Sequence, residues 1–348
     1  MFPISAADAI SPAIQRTRTF LFRPFRLGTY LKLCLVALIT EGLGGSGNFN
    51  PGHHYTNHKT TVSSFAPFAF TPERIAEAVF AFLLVMLLCF WLFYLITRLR
   101  FAFFHCLIHN IKEIRPGWHI YREPATRFFW LNVVVGLCFL LLLAVLAIPF
   151  IAGFLGLFHN IAAGGHPDLG AILALVLPLI PIILILVLGG IAVDVILRDL
   201  MLPHYALENA TAGQAWSAVW ARIRAQKGSF VGYAVLRVLL PIVALIGLFI
   251  VLILPAIIFV VIIAAVEVAI HVAFSGAAGS TAMIGIFLQV LVGVIAFAMA
   301  LLGWIAVGGP LSTAIRQYAL VFYGTRYQAL GNILFPPPPV APPVPGMV

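Results

Sequence analysis

An all-helical, polytopic membrane protein is what this chain encodes, and three features of the sequence say so. Hydrophobic residues make up 62% of the 348 positions and charged residues only 9%, whereas ordinary soluble domains carry about 25% charged residues. Several apolar runs reach the ~20 residues a helix needs to cross ~30 Å of hydrocarbon, and in lipid only helices or closed barrels satisfy their own backbone. The cations behind the formal charge of +9 gather at the ends of those runs. That pattern fits membrane topology rather than nucleic acid binding. Mean hydropathy, at +1.09, agrees.

In chain order, Ile10, Ala13, Ile14, Thr17 and Leu21 form a helical stripe in a basic N-terminal region, which predicts an amphipathic interfacial helix within residues 1–28. The short run at 30–45 follows. Lys32 and Glu41 interrupt it and no A-x-A site follows closely, so an uncleaved first span is expected rather than a secretory signal. Further spans are expected at 75–97, 129–152, 170–197, 230–254 and 283–308, about six in all. Residues 230–274 are almost wholly apolar and about twice as long as one crossing requires, so a break is expected at Pro255. Residues 256–274 then form a re-entrant or outer-leaflet helix, with a seventh span as the alternative. Cys34, Cys89, Cys106 and Cys138 lie in or beside apolar runs and imply packing rather than disulfides.

Charge fixes the expected orientation. With the N-terminus inside and six spans, all of the 20 Lys and Arg residues except Lys59 and Arg74 fall on the cytoplasmic side, as the positive-inside rule requires. Both termini are therefore expected in the cytoplasm, on an inner (cytoplasmic) cell membrane. The Pro-rich tail at 336–348 is expected to be an extended, disordered segment.

The polar joint from Asp194 to Arg237 separates two hydrophobic hairpins. Thr211 and Gln214 have capping-box spacing, so a helix should begin near Ala212. Trp216, Val219, Trp220 and Ile223 make its apolar stripe, with Arg222, Arg224, Gln226 and Lys227 off it. Indoles and basic residues together suit an interface with anionic lipid, although the same pattern serves packing on the protein's own cytoplasmic face. The joint also recurs. His204 to Asn209 resembles His105 to Asn110, Ile191-Ala-Val193 recurs at 305–307, and Tyr205-Ala-Leu207 at 318–320. This predicts an integral membrane domain over 29–335, built as three tandem hairpins at about 29–115, 118–210 and 212–330. Each is entered by an elbow helix, at Ile4–Phe22, Trp118–Arg127 and Ala212–Lys227.

The run Asp199-Leu-Met-Leu-Pro203, then Ala215-Trp216 and the aromatic re-entry Phe230 to Tyr233, resembles a family of uncharacterised prokaryotic multi-pass proteins. That family is similar to the membrane domain attached to some glycerophosphoryl diester phosphodiesterases. RPFRLGTYLKL near the N-terminus fits as well, so the resemblance covers most of residues 5–330. It implies a membrane fold and no hydrolase activity, because the soluble phosphodiesterase barrel is absent.

Candidate chemistry is sparse. His105, His109 and Glu113 share a helical face and His204 is equivalent to His105 in the repeat, a weak metal site. His53, His54 and His58 form a loop cluster whose default reading is solvated. Asp194 and Arg198 are spaced for an ion pair where the fourth span ends, and Glu267 and His271 for a second pair inside 256–274. No nucleotide-binding or nucleophile-elbow motif occurs in a fitting context, and no cofactor is expected. The first expectation is a non-enzymatic scaffold contacting anionic lipid or a protein partner through its elbows. A carrier with a central cavity is the alternative, and an intramembrane metal enzyme the third reading.

Overall fold

The computed structural model describes residues 4–42, 72–162, 169–276 and 279–336. The loop histidines and the Pro-rich tail beyond residue 336 lie outside them. Every regular element among the described residues is helical.

The N-terminal pair, α1 (Ile10–Phe22) and α2 (Leu27–Gly42), precedes the long α3 (Pro72–His109). Asn110 ends α3 in the left-handed region at φ 55°, a conformation asparagine tolerates. A short α4 (Arg115–Ile120) leads into α5 (Arg122–Ala162), and α6 (Leu169–Val176) and α7 (Leu179–Val195) return. A π-helical turn (Ile196–Met201) and α8 (Leu202–Leu207) extend α7. Asn209, at φ 50°, ends this stretch as Asn110 ends α3. Next come α9 (Ala212–Ala225), α10 (Lys227–Phe274), α11 (Ser280–Gly324) and α12 (Gln328–Leu334).

Five helical stretches among the described residues are long and apolar enough to cross a membrane: Arg74–His109, Arg122–Ala162, Ile172–Leu207, Lys227–Phe274 and Ser280–Gly324. The expected first span is different. α2 has 16 residues, about 24 Å at 1.5 Å per residue, short of the hydrocarbon thickness. It buries Tyr30, Leu33, Cys34, Ala37 and Thr40 within the protein.

The expected break at Pro255 does not occur. α10 runs unbroken for 48 residues through Pro241 and Pro255, about 72 Å, so 256–274 is its second half rather than a separate re-entrant helix. A proline removes one hydrogen bond and crowds the preceding turn, costing about 3 kcal/mol. Ending a helix in an apolar setting exposes several backbone groups, each costing several kcal/mol. Continuation is the cheaper outcome, as at Pro149 in α5. The interruption falls instead at Leu177 and Pro178, between α6 and α7. The second elbow also differs from its expected bounds: α4 ends at Ile120 and α5 has begun by Arg122.

Buried residues concentrate at one end of the long helices. They come from α1, α2, the last turns of α3, the start of α5, the π turn, α8, the base of α10, the last turns of α11 and α12. The apolar windows of the five long stretches are at most 6% buried. Such exposed apolar surface, far beyond what a soluble monomer displays, calls for lipid or protein cover. At the buried end α2 crosses α11 closely: a Cβ on Gly309 would lie 2.5 Å from the Cys34 Cα, and the Tyr30 hydroxyl donates to the Ala306 carbonyl at 2.6 Å. Small residues permit such approach between apolar helices. The first and last described segments join this base, with Arg326 donating to the Ile4 carbonyl at 2.9 Å and Arg16 to the Leu334 carbonyl at 2.8 Å.

Candidate functional site: a buried charge cluster and the elbow beside it

The π turn carries the centre of the site. Leu197, Arg198, Asp199, Leu200 and Met201 are all buried, so two adjacent charged residues enter the interior together. Turns of π-helix often mark functional positions. Here the enclosed charges must find partners, because an uncompensated buried ion costs several kcal/mol.

Partners arrive from four other helices. Asp199 receives the Arg237 Nε of α10 at 2.7 Å, the Arg316 guanidinium of α11 at 2.8 Å, and the Tyr233 hydroxyl at 2.7 Å. Glu41, at the end of α2, lies 2.9 Å from Arg198, 3.4 Å from Arg237 and 3.8 Å from Arg316. Arg198 also pairs with Asp194 at 3.0 Å, as its spacing predicts. The Thr40 carbonyl accepts from Arg198 at 3.0 Å and from Arg100 of α3 at 3.1 Å. Three carboxylates thus meet four arginines, and five segments of the chain are joined at one place. Of these residues only Asp194 and Arg198 stand out as a sequence pair. Arg237 and Arg316 read as topology markers and Glu41 as an interruption, yet each is a lone charge beside or inside an apolar run, and that isolation is itself the signal that a partner is needed.

A second polar group lies next to it. His204 Nε2 is 2.7 Å from the Tyr323 hydroxyl, and Nδ1 is 3.0 Å from a Glu208 carboxylate oxygen. Burial is the largest influence on the Glu208 carboxyl and raises it, but the hydrogen bond with His204, together with the nearby Tyr327 hydroxyl and Arg222 guanidinium, outweighs burial and holds the group below its ordinary value. His105 stands apart, with Nδ1 3.4 Å from the Tyr121 hydroxyl and its ring 4.6 Å from that of His109. Among the described residues no group of three or more His, Cys, Asp or Glu side chains is placed to hold a metal ion. His204 therefore does not complete a site with His105 and His109, since its two ring nitrogens are directed to partners of its own.

The elbow α9 forms with the expected capping box, Gln214 Oε1 accepting the Thr211 N–H at 3.0 Å. Its inner face is Ala215 and Val219. Trp216 and Trp220 point outward, stacked 5.9 Å apart at 8°, and Arg224 lies 5.2 Å over the Trp220 ring. Lys227 is exposed at the junction with α10. Arg222 departs from the other basic residues. It faces inward, donating to the Ala218 carbonyl at 3.0 Å and lying 5.0 Å over the Tyr327 ring. The helical period explains this, because Arg222 is three residues beyond Val219 and shares its buried face. Glu267 and His271 are not brought together by a hydrogen bond or ion pair; Glu267 is half-buried on α10 and His271 is exposed.

These observations define a class: a helical protein with five stretches fit to cross a membrane, tied at one end by a buried ion cluster. Residues 4–333 match a family of unknown function (DUF7544), and the chain belongs to that family. No curated protein and no solved structure matches it.

Proposed function

We propose that this protein is a non-enzymatic membrane scaffold of the inner (cytoplasmic) membrane, whose base faces the cytoplasm and whose α9 elbow contacts anionic lipid. The observation that carries this reading is the division of α9. Ala215 and Val219 face the protein, while Trp216, Trp220, Arg224 and Lys227 are turned away from it. Indoles belong at the headgroup boundary, and each basic residue near an anionic surface contributes about 1 kcal/mol of attraction. The ion cluster supports the structural half of the reading, since its carboxylates are occupied by arginines of the same chain.

The threefold hairpin plan, with its 29–335 domain, remains our reading of the sequence. It is supported by Asn110 and Asn209, which hold the same left-handed conformation at matched positions before α4 and α9.

The test is amide hydrogen exchange of residues 212–227 in the full chain, reconstituted in nanodiscs of phosphatidylglycerol or of phosphatidylcholine. Exchange should be severalfold slower in phosphatidylglycerol, and Arg224→Gln with Lys227→Gln should abolish the difference. Equal exchange in both lipids would refute the anionic-lipid contact.

A further inference from the structure

We propose that the groove beside α9 holds one anionic glycerophospholipid of the adjacent leaflet, its phosphate between Arg224 and Lys227 and an acyl chain laid along α7 and α10. This rests on the lipid-contacting reading above and narrows it to one ligand at one place.

The groove has a volume of about 910 Å³, within the ~300–1,000 Å³ of ligand-binding sites. Leu188 and Ile191 of α7, Ile196 and Leu200 of the π turn, and Val235 and Leu239 of α10 supply its walls. From Lys227 to Leu239 the α10 wall is about 18 Å long, close to the ~15 Å that one leaflet contributes to the hydrocarbon core. Leu188, Val235 and Leu239 are 54%, 51% and 45% exposed, so the groove opens sideways, where lipid tails lie.

Its polarity is confined to one end. Arg224, Lys227 and the Trp220 indole stand there, and no acidic residue lines the groove. Among the described residues the ion pairs engage other cations and leave these two without a carboxylate. Two uncompensated cations at the mouth of an apolar channel one leaflet deep complement a phosphate on an acyl chain. A peptide helix would not need a channel of that depth, nor a charge at one end alone. The inner wall includes Tyr233, whose hydroxyl donates to Asp199 at 2.7 Å, so the occupant lies directly against the helix that carries the ion cluster.

The experiment uses the full chain in mild detergent, offered equal phosphatidylglycerol and phosphatidylcholine, with retained lipid counted by native mass spectrometry. One phosphatidylglycerol per chain is expected. Arg224→Gln with Lys227→Gln should weaken its retention about thirty-fold. Ala234→Trp, which fills the groove at an exposed position, should remove it while the protein stays monodisperse. Retention that ignores the charge variants but is lost in Ala234→Trp would overturn the headgroup assignment. Retention unchanged in Ala234→Trp would overturn the groove altogether, and the exchange protection of α9 by phosphatidylglycerol would then still stand or fall by itself.

Discussion

Asp199 is fully enclosed and accepts three side-chain hydrogen bonds at 2.7–2.8 Å, from Arg237, Arg316 and Tyr233. Removing one member of a buried ion cluster leaves its partners uncompensated, at about 3–5 kcal/mol. Asp199→Asn should therefore destabilise the base by about that amount, read as a fall in the detergent-solubilised unfolding midpoint, whereas Glu123→Gln, on the exposed start of α5, should change little. Glu208 offers a pH test. Its carboxyl lies below the ordinary 4.5 in the folded chain, so its stabilisation is complete above that value and disappears as the pH falls through the lower folded value. The stability gap between the native chain and Glu208→Gln should narrow on acidification, and a gap that widens would contradict the His204 contact. At this scale the sequence revealed Asp194 with Arg198 because their spacing is local. It did not reveal Glu41 with Arg198, 157 positions apart, because no local period links them.

The helices themselves were the most legible part, since apolar runs of this length leave few alternatives to a helix. What the runs did not state was where each would stop. Pro255 read as a break, but the surrounding apolar residues make ending a helix dearer than bending it. Pro178 gave no such warning, yet the chain turns there. The elbow α9 was predicted to within two residues because a capping box is a local signal. Its inward face was not, because Arg222 and Arg224 look alike in sequence and differ only in which side of the helix they occupy. The close crossing of α2 and α11 supplies an element-scale prediction. Gly309→Leu places a side chain where Cys34 already stands, so it should prevent folding or lower the unfolding midpoint sharply. Gly303→Leu, on the same helix with open space around it, should be tolerated; equal effects would mean that the crossing does not hold the base together.

At the scale of the whole molecule, the first and last described segments, the ion cluster and the elbow gather at one end of the long helices. Ile4 accepts from Arg326, and Arg326 Nε also donates to Gln226 at 2.8 Å, so the first described residues, the α9–α10 corner and the segment after α11 are immediate neighbours. The distribution of Lys and Arg leads to the expectation of a common side for the two termini, because the positive-inside rule sums over the whole chain and needs no knowledge of contacts. It could not reveal that Arg198, Arg237 and Arg316, counted there as surface markers, are interior residues. The most direct measurement of the central claim is the sidedness of reporter tags placed at the N-terminus, after Gln226 and at the C-terminus of the full chain in intact cells. All three should report the cytoplasmic side, and either terminus on the side opposite Gln226 would contradict the account.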